Sequence, residues 1–89
     1  VETAYYLRMQ VADRPGVLAD ITRILADLGI SIEAVLQKEP APNATDVPVI
    51  MLVHRIREWQ MNSAIARIEA LDSVRGKVIR MRLETLDSD

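Results

Sequence analysis

The chain switches its apolar period from two to a helical spacing and back again, and it does so twice. From Ala4 to Val11, Tyr5, Leu7, Met9 and Val11 alternate with Tyr6, Arg8 and Gln10, the pattern of a strand with one buried face. Val17, Leu18, Ile21, Ile24, Leu25 and Leu28 then recur at helical spacing with Asp20, Arg23 and Asp27 opposite. Gly29 stands where a glycine commonly ends a helix. Ile30 to Gln37 alternates again, apolar at Ile30, Ile32, Ala34 and Leu36.

Between Lys38 and Pro48 lie Pro40, Pro42 and Pro48 with Asn43, Thr45 and Asp46, which reads as a loop. Val49 to Val53 is apolar on both faces, as in a central strand or one covered by a partner. Met61, Ala64, Ile65, Ile68 and Leu71 form a second helical stripe, with Glu58 in or near its first turn. Asp72 and Ser73 close that helix and Gly76 marks the following turn. Val78 to Leu86 alternates once more, Ile79, Met81 and Leu83 against Arg80, Arg82 and Glu84, before a polar tail at Asp87 to Asp89.

Strand, helix, strand, loop, strand, helix, strand is the order of the ferredoxin-like split βαβ arrangement. The expected fold is therefore α+β, βαββαβ, a four-stranded antiparallel sheet with both helices on one face. The first and third strands are central and the second and fourth are edges. Two helices cover only one face, and Ile50 and Leu52 place apolar groups on the other. An apolar face of that kind points to association, so the expectation is an oligomer with Ile50 and Leu52 at its interface.

Eighty-nine residues make one domain, its core running from about residue 4 to residue 86. With only Tyr5, Tyr6 and Trp59 aromatic, the core is aliphatic. Eleven basic residues against 13 acidic ones leave a net charge of −2, which argues against a nucleic-acid or anionic-membrane surface. No apolar run reaches the length of a membrane span. The absence of cysteine excludes disulfides, a thiolate nucleophile and sulfur-ligated zinc; the expected setting is cytoplasmic. A first residue of Val rather than Met reads as a piece of a longer polypeptide.

Chemistry is sparse. His54 is the single histidine, and no nucleophile-elbow sequence surrounds Ser31, Ser63, Ser73 or Ser88. One histidine without a nearby second ligand seldom holds zinc, and three glycines cannot form a dinucleotide or Walker loop. No catalytic residue, metal site or cofactor is expected within these residues. The stretch that stands out is Asp13-Arg14-Pro15-Gly16-Val17-Leu18, where strand gives way to helix. Asp13 has the chemistry of an N-cap, Pro15 suits a first turn, and Gly16 allows close approach. A helix N-terminus also offers free N–H groups to a carboxylate. An ordinary helix start would use the same residues.

That stretch, read with Val11 and Ala12, resembles the ACT domain, a small module that binds amino acids and regulates metabolic enzymes. Ile30 to Lys38, Val53-His54, Met61 to Ile65 and Ile68-Glu69 resemble the ACT domain at the C-terminus of bacterial homoserine dehydrogenases. The resemblance covers about Ala4 to Glu84. It implies a parent enzyme that reduces aspartate semialdehyde to homoserine with NAD(P)H, its catalytic lysine and cofactor site lying upstream. It also implies an effector site at Asp13, Gly16, Val17 and Leu18 with Ser31 and Ile32, the last two from a neighbouring subunit. Asp13 would accept from the effector's ammonium, and amides near Gly16 would face its carboxylate. Threonine, the pathway's end product, is the expected effector. The expected partners are a second copy of the chain and the catalytic domain of the same polypeptide. Many amino-acid-binding members carry Asn where this chain has Asp13 or Ser31. Two alternatives stay open: a purely structural pairing module, or the same module from another parent, such as a stringent-response synthetase, an aspartate kinase or a transcriptional regulator.

Overall fold

The structure, a computed structural model, describes residues 2–84. Its elements are β1 (Glu2–Ala12), α1 (Val17–Asp27), β2 (Ile32–Gln37), β3 (Asp46–Arg57), α2 (Glu58–Glu69) and β4 (Val74–Leu83). The strands form one antiparallel sheet in the order β2-β3-β1-β4, so β1 and β3 are central and β2 and β4 are edges. The expected residues Thr85 and Leu86 of the last strand and the tail Asp87–Asp89 lie outside the described residues.

Alternation decides the layers. Tyr5, Leu7, Met9 and Val11 of β1 and Val47, Val49, Met51 and Val53 of β3 point to the helix side and are almost completely buried. Val17, Ile21 and Leu25 of α1 and Met61, Ala64 and Ile68 of α2 close that core from above. Both central strands feed it from every second position, and Tyr5 brings the one aromatic ring among these buried strand residues.

Chain turns follow local chemistry. α1 ends in a Schellman motif: Gly29 is at φ +73°, its N–H donates to Ala26 O, and the N–H of Ile30 donates to Leu25 O. The apolar pair that accompanies the motif, Leu25 and Ile30, is buried. Pro48, read from the sequence as loop, lies inside β3 opposite Gln10. Its carbonyl accepts from Lys38 N–H at 3.1 Å, just past the end of β2. The donor that proline lacks is therefore missing only where the β2 ladder has already run out.

Three further expectations are corrected. Asp13 does not cap α1; the N-cap is Gly16, at φ +89°, with no side-chain hydrogen bond. The chain makes one more turn after Asp13 than a capped start would, so Pro15 precedes the helix. Gly76 does not sit in a turn but inside β4, at φ +71°, where the β1–β4 register shifts between Arg8 and Gln10. Finally, Ile32 and Ala34 lie on opposite faces of β2, because the register with β3 slips between them. Ile32 joins the core edge, while Ala34 and Leu36 face outward.

Candidate functional site: the β1–α1 turn

β1 ends between two loops that hold its last residues in place. Ala12 N–H donates to Ser73 O at 2.7 Å and Asp13 N–H to Thr45 O at 3.0 Å. The chain then folds on itself, Arg14 N–H donating to Ala12 O at 3.0 Å, and Gly16 swings into the left-handed region before α1 begins. Asp20 N–H donates to Gly16 O, the first bond of the helix. The amides of Val17, Leu18 and Ala19 precede it and have no helical acceptor. Because the cap is a glycine, it has no side chain to accept from them either.

A cavity of about 220 Å³ opens at this point, lined by Val11, Ala12, Arg14, Pro15, Gly16, Val17, Leu18, Ala19 and Gln37. Its floor is the buried end of β1 and the first turn of α1; Gln37 reaches it from the end of β2. The chemistry is an apolar base, a helix N-terminus with a partial positive charge, one guanidinium and one amide. That set suits a small molecule with a carboxylate and a short side chain.

Of the six residues expected to bind an effector, Gly16, Val17 and Leu18 line this cavity. Asp13 is exposed beside it and is not part of the lining. Ser31 and Ile32 are at the other end of the sheet, where Ser31 O accepts His54 N–H at 3.0 Å and Ile32 pairs with Val53. They are roughly 20 Å from the turn at the rise of an extended strand. Within one protomer the two halves of the expected site do not meet. Arg14 and Gln37 take places that the residues alone did not nominate. Arg14 sat inside the motif itself; Gln37 becomes visible only once the topology brings the ends of β2 and β1 to the same end of the sheet, with β3 between them.

The other expected surface is the sheet's outer face. Pairing of β1 with β3 and β4 places Tyr6, Leu52 and Met81 in one row and Arg8, Ile50 and Ile79 in the next. Ala34 and Leu36 of β2 continue it, and a shallow groove runs over Tyr6, Ala34, Leu36, Ile50 and Leu52. No helix covers it, and Leu36, Ile79, Met81 and Leu83 are all exposed.

Charged side chains are used elsewhere. Arg82 pairs with Glu58 at 3.5 Å and Arg75 with Asp46 at 3.2 Å, surface contacts of small energetic weight. Arg80 lies over the ring of Tyr5 at 6.0 Å. Among the described residues no group of three His, Cys, Asp or Glu side chains is placed to hold a metal ion, and no helix is long and apolar enough to cross a membrane.

Comparison with known proteins agrees with this architecture. The family model of the ACT domain matches residues 5–73. Homoserine dehydrogenases from Methylobacillus glycogenes and Pseudomonas aeruginosa are 51% and 49% identical over 97% of the chain. A solved homoserine dehydrogenase from Thiobacillus denitrificans superposes with a TM-score of 0.84 over 94% of the chain at 60% identity. The chain spans about a fifth of the length of these curated relatives, 21% and 20%, and 18% of the solved chain. The chain belongs to the ACT domain family, and its likeness to the ACT domain of homoserine dehydrogenases extends over nearly its whole length.

Proposed function

We propose that the chain is the regulatory domain of a homoserine dehydrogenase and that it binds a free amino acid, threonine, at the β1–α1 turn. The observation that carries this reading is the uncapped start of α1. The amides of Val17, Leu18 and Ala19 lack a capping side chain, and these residues line a cavity of about 220 Å³. A ligand carboxylate takes the place of the missing cap, gaining the helix N-terminus and its unpaired donors. Val11, Val17 and Leu18 supply the apolar wall for a methyl group, and Gln37 a polar contact for a hydroxyl.

Among the lining side chains only Gln37 offers the ammonium group an acceptor, since Asp13 is outside the lining. Self-association supplies the missing part. β2 is an edge strand of six residues with exposed Val35 and Leu36. Antiparallel pairing of two such edges runs the start of one strand along the end of the other. That geometry sets the partner's Ser31 and Ile32 beside Gln37, and so beside the turn. Effector binding then bridges two copies, and the coupling between ligand and subunit arrangement is the regulatory signal. In the parent, reduction of aspartate semialdehyde with NAD(P)H takes place in the upstream part of the polypeptide, and this domain reports threonine to it.

Isothermal titration of the associated chain with threonine, with serine and isoleucine as controls, tests the reading. Saturable heat with threonine and less with the controls supports it. Absence of heat and of a thermal shift at millimolar threonine, with the chain still associated, contradicts it. The second reading, a module that binds nothing and only joins chains, is favoured by the uncovered outer face with Ile50 and Leu52.

A further inference from the structure

The cavity at the β1–α1 turn has a counterpart at the far end of the sheet. Thr3, Arg57, Glu58, Trp59 and Arg82 line a second cavity of about 520 Å³, where β1 begins, β3 ends and α2 starts. Val11 lines the first cavity and Thr3 the second, so about 26 Å of strand separates them. The chain's single tryptophan, Trp59, is 59% exposed there, although tryptophan is on average well buried. Effector binding at the turn leaves this second cavity without a role.

α1 spans most of the gap. Its 11 residues make a hydrogen-bonded rod about 16 Å long, which starts at the turn and closes at Leu28. At that closing end Gln60 Nε2 donates to Leu28 O, and Gln60 Oε1 accepts Arg57 N–H, both at 3.0 Å. One planar amide therefore holds the end of α1 and a residue of the second cavity's wall. Among the described residues no other side-chain hydrogen bond or ion pair joins α1 or its closing turn to α2.

We infer that Gln60 couples the two cavities, so that threonine bound at the β1–α1 turn rearranges the Arg57–Trp59 cavity at the other end of the domain. This rests on the reading of the turn as an effector site and names the route by which that site regulates. A carboxylate capping the open start of α1 draws on one end of the rod. At the other end Leu28 O moves against the Gln60 amide. That amide is rigid and shared, so its reorientation reaches Arg57 N–H, and with it the wall formed by Arg57 and Trp59. A stiff helix and a shared hydrogen-bonding group are parts from which coupling between distant sites is built. Thr3 of the lining stands at the start of β1. In the longer polypeptide of that reading, the preceding chain joins beside this cavity, and the rearrangement is delivered to the junction. By linkage, a contact made there changes threonine affinity by the same factor.

Trp59 emission reads the second cavity without a label, because the chain has no other tryptophan. Threonine added to the associated chain should change that emission saturably, with the midpoint found by heat. Gln60→Ala should abolish the emission change while the heat persists, since Gln60 is not part of the turn's lining. Gln60→Glu is the sharper variant. It keeps an acceptor for Arg57 N–H and loses the donor to Leu28 O, so it should bind threonine with the start of α2 intact and give no response at Trp59. Threonine heat without an emission change overturns the inference and leaves the effector reading standing. So does an emission change that survives Gln60→Ala and Gln60→Glu. Absence of heat sinks the effector reading, and Gly16→Ala, which disturbs the start of α1 by itself, then decides the coupling. It should shift Trp59 emission in the wild-type background and leave it unmoved in the Gln60→Glu background. Equal emission from wild type and Gly16→Ala would overturn the coupling in that case.

Discussion

Oε2 of Glu69, at the end of α2, accepts the backbone N–H of Val78 at 2.7 Å. The bond answers a defect in the sheet. Between Arg8 and Gln10 the β1–β4 register shifts, and Gly76 at φ +71° turns part of β4 away from the ladder. A side chain from the helix layer takes the donor that the bulge frees, and Lys77 stands 3.9 Å from the other carboxylate oxygen.

Glu69→Ala leaves the half-buried Val78 N–H without its acceptor and should cost about 1–3 kcal/mol. Glu69→Gln keeps an acceptor oxygen and should recover part of that loss. Urea unfolding of the three proteins measures it. Equal midpoints for Glu69→Ala and wild type would mean that water serves Val78 as well as the carboxylate does.

Gln60 ties the two helices together. Its Oε1 accepts Arg57 N–H and its Nε2 donates to Leu28 O, both at 3.0 Å. One side chain therefore satisfies the start of α2 and an orphan carbonyl at the end of α1. Gln60→Ala should lose about 1–2 kcal/mol, since each net bond is worth about 0.5–1.5 kcal/mol. Gln60→Glu should be less stable than wild type, because its carboxylate faces Leu28 O without a proton to donate. Hydrogen exchange at the end of α1 reads this bond locally, and unchanged protection there in Gln60→Ala would contradict the role.

Gly16 has room for a side chain, as a Cβ built on it meets nothing within 4 Å. Its cost on substitution is therefore conformational. Gly16→Ala at φ +89° should lose about 1 kcal/mol, seen as a Tm lower by about 4–8 °C for a domain of this size. If the turn instead relaxes toward negative φ, stability recovers but the cavity changes shape and effector affinity falls. A Gly16→Ala variant with wild-type Tm and wild-type effector affinity would contradict the geometry described for the turn.

The β–α–β order, the central places of β1 and β3, and the glycine end of α1 were all legible in the sequence, because each rests on periodicity or on one residue's backbone preference. Errors arose where a residue's type allowed two local structures. Asp13 could cap a helix, but hydrogen bonds from Ala12 and Asp13 to the neighbouring loops at Ser73 and Thr45 carry the chain on to Gly16. Pro48 reads as a breaker, yet β3 tolerates it where β2 has ended. Gly76 marks irregularity without saying whether it is a turn or a bulge. The turn's share of the candidate site was visible as a motif. Gln37 was not, since only strand order brings it there, and the distance of Ser31 and Ile32 from the turn follows from the length of β2.

Whether the open start of α1 receives the carboxylate of threonine is read most directly by backbone amide NMR of the associated chain, recorded during threonine addition. Saturable shifts are expected, concentrated at the amides of Gly16 to Ala19 and at Gln37, with a second group at Ser31 and Ile32 across the paired β2 edges. Shifts absent from Gly16 to Ala19 at saturating threonine, or centred elsewhere in the domain, would contradict that binding mode.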